Sequence, residues 1–220
     1  MRKEAQPIAL DAIKQAHALR SEAIRQRLSE FEAIGVRGSD REYWEEMVFC
    51  FFTGGCSARM GLNSLKAVKH LLITGDQQQL SMALTGVHRY PNARARYIIA
   101  SRQFLLEHCG LRLRNKLHGF NCSQQRRDWL VREKGIKGLG YKEASHYLRN
   151  IGFKGYAILD KHVLRCLAEL KLIEDPKPPN SREMYLKIEE RLKELTNITG
   201  IDFDELDLVL WSMKTGVILK

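Results

Sequence analysis

Residues 134–152 read Lys-Gly-Ile-Lys-Gly-Leu-Gly-Tyr-Lys-Glu-Ala-Ser-His-Tyr-Leu-Arg-Asn-Ile-Gly, and they constrain this chain more than any other stretch. Upstream, residues 125–132 have the pattern of a short helix, with Trp129 and Leu130 as its apolar contacts. Downstream, Ala144, Tyr147, Leu148 and Ile151 recur at i, i+3, i+4 and i+7, so a second helix is expected over 143–151. Between them, Gly138 and Gly140 allow a tight turn and a close backbone approach to another group. A glycine turn that feeds a helix N-terminus presents unbonded N–H groups, which suit a phosphate. Two helices joined this way form a helix–hairpin–helix, a sequence-independent grip on a nucleic-acid backbone that includes Lys137, Gly138 and Gly140.

Two residues add chemistry to the grip. Lys142 falls in the first turn of the second helix, where the helix dipole disfavours positive charge and so favours the neutral, nucleophilic amine. Asp160 follows the apolar run Tyr156–Leu159 and is placed to cap a helix beginning near Lys161. The hairpin with its lysine, followed by Ile158-Leu-Asp160-Lys-His162, resembles the helix–hairpin–helix DNA glycosylases that carry a catalytic Lys and Asp. Within them, the chain is most similar to the second, single-unit family of 8-oxoguanine DNA glycosylase/AP lyases of archaea and some bacteria. The closing stretch, Asp207 through Trp211 and Gly216 to Lys220, resembles that family's terminus. The likeness covers most of the chain and is weakest over the first 40 residues.

The resemblance implies Lys142 as nucleophile and Asp160 as its carboxylate partner, acting on a nucleotide flipped out of duplex DNA. It implies that Trp211 stacks on the extruded base and that the end of the chain recognises it. Asp207 and the Lys220 carboxylate are then the candidate acceptors for purine N–H groups. It also brings the loop with Ser57 and Arg59 near the lesion, and Arg94 and Arg96 onto phosphates or the opposite strand. Read residue by residue, other outcomes stay open: a glycosylase for another oxidised base, or a non-catalytic hairpin protein in which Lys142 binds phosphate and Asp160 only caps.

Charge supports a nucleic-acid partner. Arg89 to Lys142 contains thirteen Lys and Arg against three acids, a local +10 that equals the net charge of the whole 220-residue chain. Such one-signed density implies salt-dependent binding. At 44% hydrophobic and 28% charged residues, the composition is that of a soluble globular protein, and no run is long enough for a membrane span. The N-terminal residues lack the apolar core of a secretion signal, so a cytosolic protein is expected, and a monomer is expected besides. Five separated cysteines without a C-x-x-C pair argue against a disulfide framework, a zinc site or an iron–sulfur cluster, and are read as mostly buried thiols. No metal and no cofactor are expected.

The fold class expected is all-α, with two helical subdomains flanking a DNA-binding cleft: the hairpin subdomain at about 60–165, and a second built from 1–59 and 166–220. Helices are expected over 7–34, ended by Gly35-Val-Arg-Gly38, over 42–52, 62–73 and 183–195, and after Pro91. Met184, Ile188, Leu192 and Leu195 are the expected core face of the helix over 183–195. Asp202 to Glu205 is a capping-box pattern for the last helix, whose expected core face is Leu206, Val209, Leu210 and Met213.

Overall fold

The structure, a computed structural model, describes residues 9–219. In chain order its helices are α1 (Leu10–Arg37), α2 (Asp40–Thr53), α3 (Ala58–Val68), α4 (Gln77–Leu84), α5 (Pro91–Cys109), α6 (Leu113–His118), α7 (Ser123–Arg132), α8 (Tyr141–Asn150), α9 (Lys161–Glu169), α10 (Arg182–Thr199) and α11 (Phe203–Thr215), with a 3-10 turn at Lys69–Leu71. No strand occurs among the described residues, so the chain is all-α. Contacts divide it into one unit, Phe31–Phe153, and another formed by the residues through Glu30 with those from Lys154 onward. These divisions differ from the expected ones near 59 and 165. Helix α2 packs against α3 and α8 and so joins the hairpin unit, while α9 packs against α11 and so joins the terminal helices.

In the hairpin unit, α2 is the central rod. Ser39 caps it through a reciprocal box with Glu42, and Asp40 is freed to accept from Arg114 N–H at 2.8 Å. Every residue from Tyr43 to Thr53 is buried. The carbonyls at the C-terminal end of α2 find donors from the region that starts α5. His88 Nε2 lies 3.1 Å from Phe52 O, and Arg94 Nη2 donates to Gly54 O. Because His88 Nδ1 accepts from Tyr90 N–H, the ring is the neutral tautomer with its proton on Nε2. Burial pushes this imidazole down, in keeping with that neutral form.

Helix α1 does not stop at Gly35 as expected but runs through it to Arg37. A Cβ on Gly35 would lie 2.8 Å from Ile151 O and 3.2 Å from the Gly152 Cα. Gly152 itself has φ +84°, and a Cβ there would meet Phe31 O at 2.9 Å. Gly35 is present because two backbones touch, not because a helix ends, while Gly152 both meets α1 and closes α8, with Phe153 N–H donating to Leu148 O at 3.0 Å.

In the other unit, the last helix departs from its expected cap. Asp202 accepts from Asp204 N–H, but Glu205 does not reach back to close a box. Its carboxylate instead joins α11 to α1, with Oε2 2.5 Å from His17 Nε2 and Oε1 accepting from Arg25 Nε at 2.9 Å. Met213 is only partly buried, and Met184 on α10 is 45% exposed, its expected place taken by buried Tyr185. Of the cysteines, Cys50 and Cys166 are buried and the other three only partly so. Burial pushes the Cys166 thiol up to about 12, which leaves it unreactive at neutral pH.

Burial raises the Glu205 carboxyl, but the hydrogen bonds from His17 and Arg25 outweigh it and leave it below its usual 4.5. A carboxyl lowered in the folded state contributes stability above its unfolded value, and that contribution is lost as pH falls through the folded value. Glu205→Gln should therefore lower the unfolding free energy by about 1–2 kcal/mol at neutral pH. The deficit relative to the unaltered protein should shrink to nothing in acid, below pH 4.5, as read by denaturant melts across pH.

Candidate nucleic-acid interface and nucleophile

The hairpin is α7, the loop 133–140 and α8. Its two helices are cross-linked. Buried Arg127 donates to Ser145 Oγ at 3.1 Å, and Tyr141 Oη donates to Asp128 Oδ1 at 2.9 Å. On α8, Ala144, Tyr147 and Leu148 are fully buried and Ile151 follows at 1% exposure, as the spacing predicts. Leu148 and Ile151 each contribute about 1.5–3 kcal/mol, so the helix is held by its apolar face.

The loop rests on α5. Tyr97, Ser101 and Phe104 stand at i, i+4 and i+7 and so share one face of that helix. Each meets a residue of the loop. A Cβ on Gly138 would come within 2.6 Å of the Tyr97 ring, and one on Gly135 within 2.0 Å of Phe104. Ser101 Oγ accepts from Lys137 N–H at 2.9 Å. Gly138 also has φ +81°, so it needs glycine twice over. Gly140 differs from the sequence expectation. Its φ of −89° suits any residue, and a Cβ there would meet only the end of the Glu143 side chain, at 3.2 Å.

Gly140 is the N-cap of α8 and has no side chain to cap it. The first bond of the helix runs from Ala144 N–H to Gly140 O. The N–H groups of Gly138, Gly140, Lys142 and Glu143 meet no acceptor among the described residues. Such a cluster at a positive helix end is an anion cradle. Lys142 lies in this first turn with its side chain 26% exposed, and its Nζ is 3.6 Å from Glu143 Oε1.

The basic window divides in two. Arg94, Arg102, Arg114 and Arg126 donate to backbone carbonyls and Arg127 to a hydroxyl, so five of the thirteen cations serve as internal fasteners. Arg94, expected on the DNA, is 8% exposed and turned in to Gly54. The carbonyls that end α2 claim it, a use that sequence spacing does not signal. Arg132, Lys134 and Lys137 of the hairpin are exposed, as are Arg96 on α5 and Arg89 and Arg112 elsewhere in the window. Ser57 is the N-cap of α3, accepting from Met60 N–H at 3.2 Å, and Arg59 is exposed in that helix's first turn.

In the other unit, Asp160 caps α9. Its Oδ1 accepts from His162 N–H at 2.8 Å and Val163 N–H at 2.9 Å, while Oδ2 accepts from no described residue. Burial pushes the His162 imidazole down, and Asp160 partly offsets this. Helix α11 packs on α9, with Lys214 Nζ 3.2 Å from Glu169 Oε1. It carries buried Asp207 and, one turn on, half-buried Trp211. The indole stacks on no other ring among the described residues, and its N–H has no acceptor there. Lys220 lies outside the described residues. Within each unit the predicted residues thus gather: Lys142 with the hairpin glycines and exposed cations in one, Asp160, Asp207 and Trp211 on packed helices in the other.

These features define a helix–hairpin–helix protein with a lysine at the mouth of its anion cradle. The family profile described as 8-oxoguanine DNA glycosylase matches residues 24–201. An 8-oxoguanine DNA glycosylase/AP lyase of Korarchaeum cryptofilum is 41% identical over 200 residues, covering 90% of this chain and 91% of that one. The crystal structure of the Methanocaldococcus jannaschii 8-oxoguanine DNA glycosylase superposes with a TM-score of 0.86 at 32% identity, over 96% of this chain and 95% of that one. The M. jannaschii glycosylase/lyase in complex with a 15mer DNA containing 8-oxoguanine gives 0.85 at 33% identity, over 94% and 99%. The chain belongs to the 8-oxoguanine DNA glycosylase family.

The two hairpin glycines should separate by experiment. Gly138→Ala forces a Cβ into the Tyr97 ring at a left-handed φ and should cost about 1–3 kcal/mol of stability, seen as a lower melting temperature. Gly140→Ala should melt within a degree or two of the unaltered protein, yet bind duplex DNA more weakly, because its methyl group stands at the cradle.

Proposed function

We propose that this chain is a bifunctional DNA repair enzyme that excises 8-oxoguanine from duplex DNA and nicks the abasic strand. The observation that carries the reading is the uncapped N-terminus of α8 behind the Gly138 turn, with Lys142 in its first turn. The cradle takes a backbone phosphate through N–H groups that need no base identity, and exposed Lys134 and Lys137 of the hairpin, with Arg96 on α5, add charge. That grip delivers a flipped nucleotide to a lysine.

Unprotonated Lys142 attacks the sugar C1′ as the N-glycosidic bond breaks. Ring opening gives a Schiff base, and β-elimination then cuts the strand 3′ to the lesion. Asp160 stabilises the positive charge that develops on the sugar or moves a proton near the amine. Its capping geometry supports this role, because two backbone N–H groups hold Oδ1 and orient the carboxylate while leaving Oδ2 without a described partner. Trp211 stacks on the extruded base, and Asp207 and the Lys220 carboxylate read its N–H edge. The half-buried indole, unstacked and without an acceptor for its N–H, supports the first of these roles.

Lys142→Gln should abolish base excision and borohydride trapping on 8-oxoguanine duplex while keeping duplex binding. Trapping that persists would exclude Lys142 as the nucleophile. Trp211→Ala removes a stacking surface worth about 1–3 kcal/mol per base, so single-turnover excision of 8-oxoguanine should fall about tenfold or more. Nicking of a ready-made abasic site, which offers no base to stack, should fall much less. Equal losses on both substrates would place base recognition elsewhere.

A further inference from the structure

The carboxylate of Glu143 has no role in the reading above, yet its placement is unusual. Consecutive residues on a helix point about 100° apart and do not ordinarily face each other. Glu143 and Lys142 nevertheless pair, Oε1 to Nζ at 3.6 Å. The carboxylate lies beside two glycines, close to Gly140 and at ordinary contact distance from Gly54. Its Oε2 lies 3.2 Å from where a Cβ on Gly140 would be, and its Oε1 lies 3.7 Å from the same point on Gly54. The side chain is 19% exposed and makes no hydrogen bond among the described residues, so Lys142 is its ion-pair partner there. A carboxylate withdrawn this far from water is ordinarily held by hydrogen bonds when its role is structural. This one is set in a notch beside the amine.

We propose that Glu143 is the base that accepts a proton from the Lys142 ammonium and so generates the nucleophile; this rests on Lys142 being the nucleophile. One N–H bond of the ammonium breaks and an O–H bond forms on Glu143. The electron pair left on Nζ makes the bond to C1′, while the C1′–N9 pair departs with the purine. The purine anion takes up one proton, which balances the proton Glu143 accepted and restores the carboxylate.

The ionisable groups around the pair come from several elements. Arg94 of α5 has Nη2 3.4 Å from the Cβ position of Gly54 and so shares the notch with Glu143. Tyr97 of α5 lies against Gly138. Tyr141 of α8 is bonded to Asp128 of α7, and His146 of α8 packs edge-on to Phe49 of α2. Glu46 of α2 accepts from Asn150, at the far end of α8. Among these, the acidic groups Asp128 and Glu46 are each engaged by another residue of the helix.

The test uses the full-length protein and an abasic-site duplex, with single-turnover borohydride trapping measured from pH 6 to 9. Glu143→Gln keeps the shape of the side chain and removes the base. Its trapping rate at pH 7 should fall about a hundredfold or more and then climb about tenfold per pH unit, as hydroxide replaces the lost carboxylate. Glu143→Ala opens the notch, and added formate should restore its rate in a concentration-dependent way. Thermal melts of both variants establish that they are folded. A Glu143→Gln protein that traps as fast as the unaltered one, or faster, would overturn the proposal, because the carboxylate would then only hold the lysine charged. So would a loss that is uniform across pH and unrelieved by formate, which marks a helix-end or packing role. Failure of the underlying reading is separate: it shows as trapping by Lys142→Gln, or as no trapping by the unaltered protein.

Discussion

The seat of the hairpin loop on α5 is the contact on which the rest of the site depends. Tyr97, Ser101 and Phe104 form one face, and the loop lies against it closely enough that Gly135 and Gly138 admit no side chain. This seat fixes where α8 begins. Once α8 begins at Gly140, its unbonded N–H groups, Lys142 and Glu143 follow in order round the first turn. The first turn of α8 is therefore positioned by a helix, α5, whose part is to support the loop. The same helix sends Arg94 back to close the end of α2, so one element positions both the hairpin and the Gly54 loop beside it.

Much of this was legible in the sequence, for definite reasons. The 3.6-residue period of Ala144, Tyr147, Leu148 and Ile151 gave α8, and the glycine pair gave the turn. Asp160, placed directly after the apolar run Tyr156–Leu159, gave the cap of α9. These signals are local, and local signals survive folding. What escaped depended on partners distant in sequence. Glu205 has the spacing of a capping box, but His17 and Arg25 compete for it and win with two charge-assisted contacts. Gly35 has the look of a helix terminator, but it marks a backbone crossing. Arg94 sits in a basic cluster and has the look of a DNA contact, yet Gly54 O, just past the end of α2, takes its guanidinium. Short helices such as α4 and α6 offer too few turns for a period to show in the sequence.

The division of the basic window changes how its charge should be understood. Guanidiniums tied to carbonyls still contribute to the field that draws in a polyanion. Moving to meet a phosphate would cost them those hydrogen bonds. Long-range attraction and close contact thus use different residues of one stretch. The exposed subset, Lys134 and Lys137 of the hairpin and Arg96 on α5, is where counterion release on binding is to be expected.

The crossing of Gly35 and Gly152 has a mechanical consequence. Helix α8 is followed directly by Ile151 and Gly152, and those residues are wedged against the end of α1 with no side chain between the two backbones. At its other end, α8 grows out of a loop lodged on α5. It is a beam clamped at both ends, and a clamped beam does not slide. A pull on its N-terminal end is carried along the helix axis into the far clamp rather than spent in drawing α8 out of register.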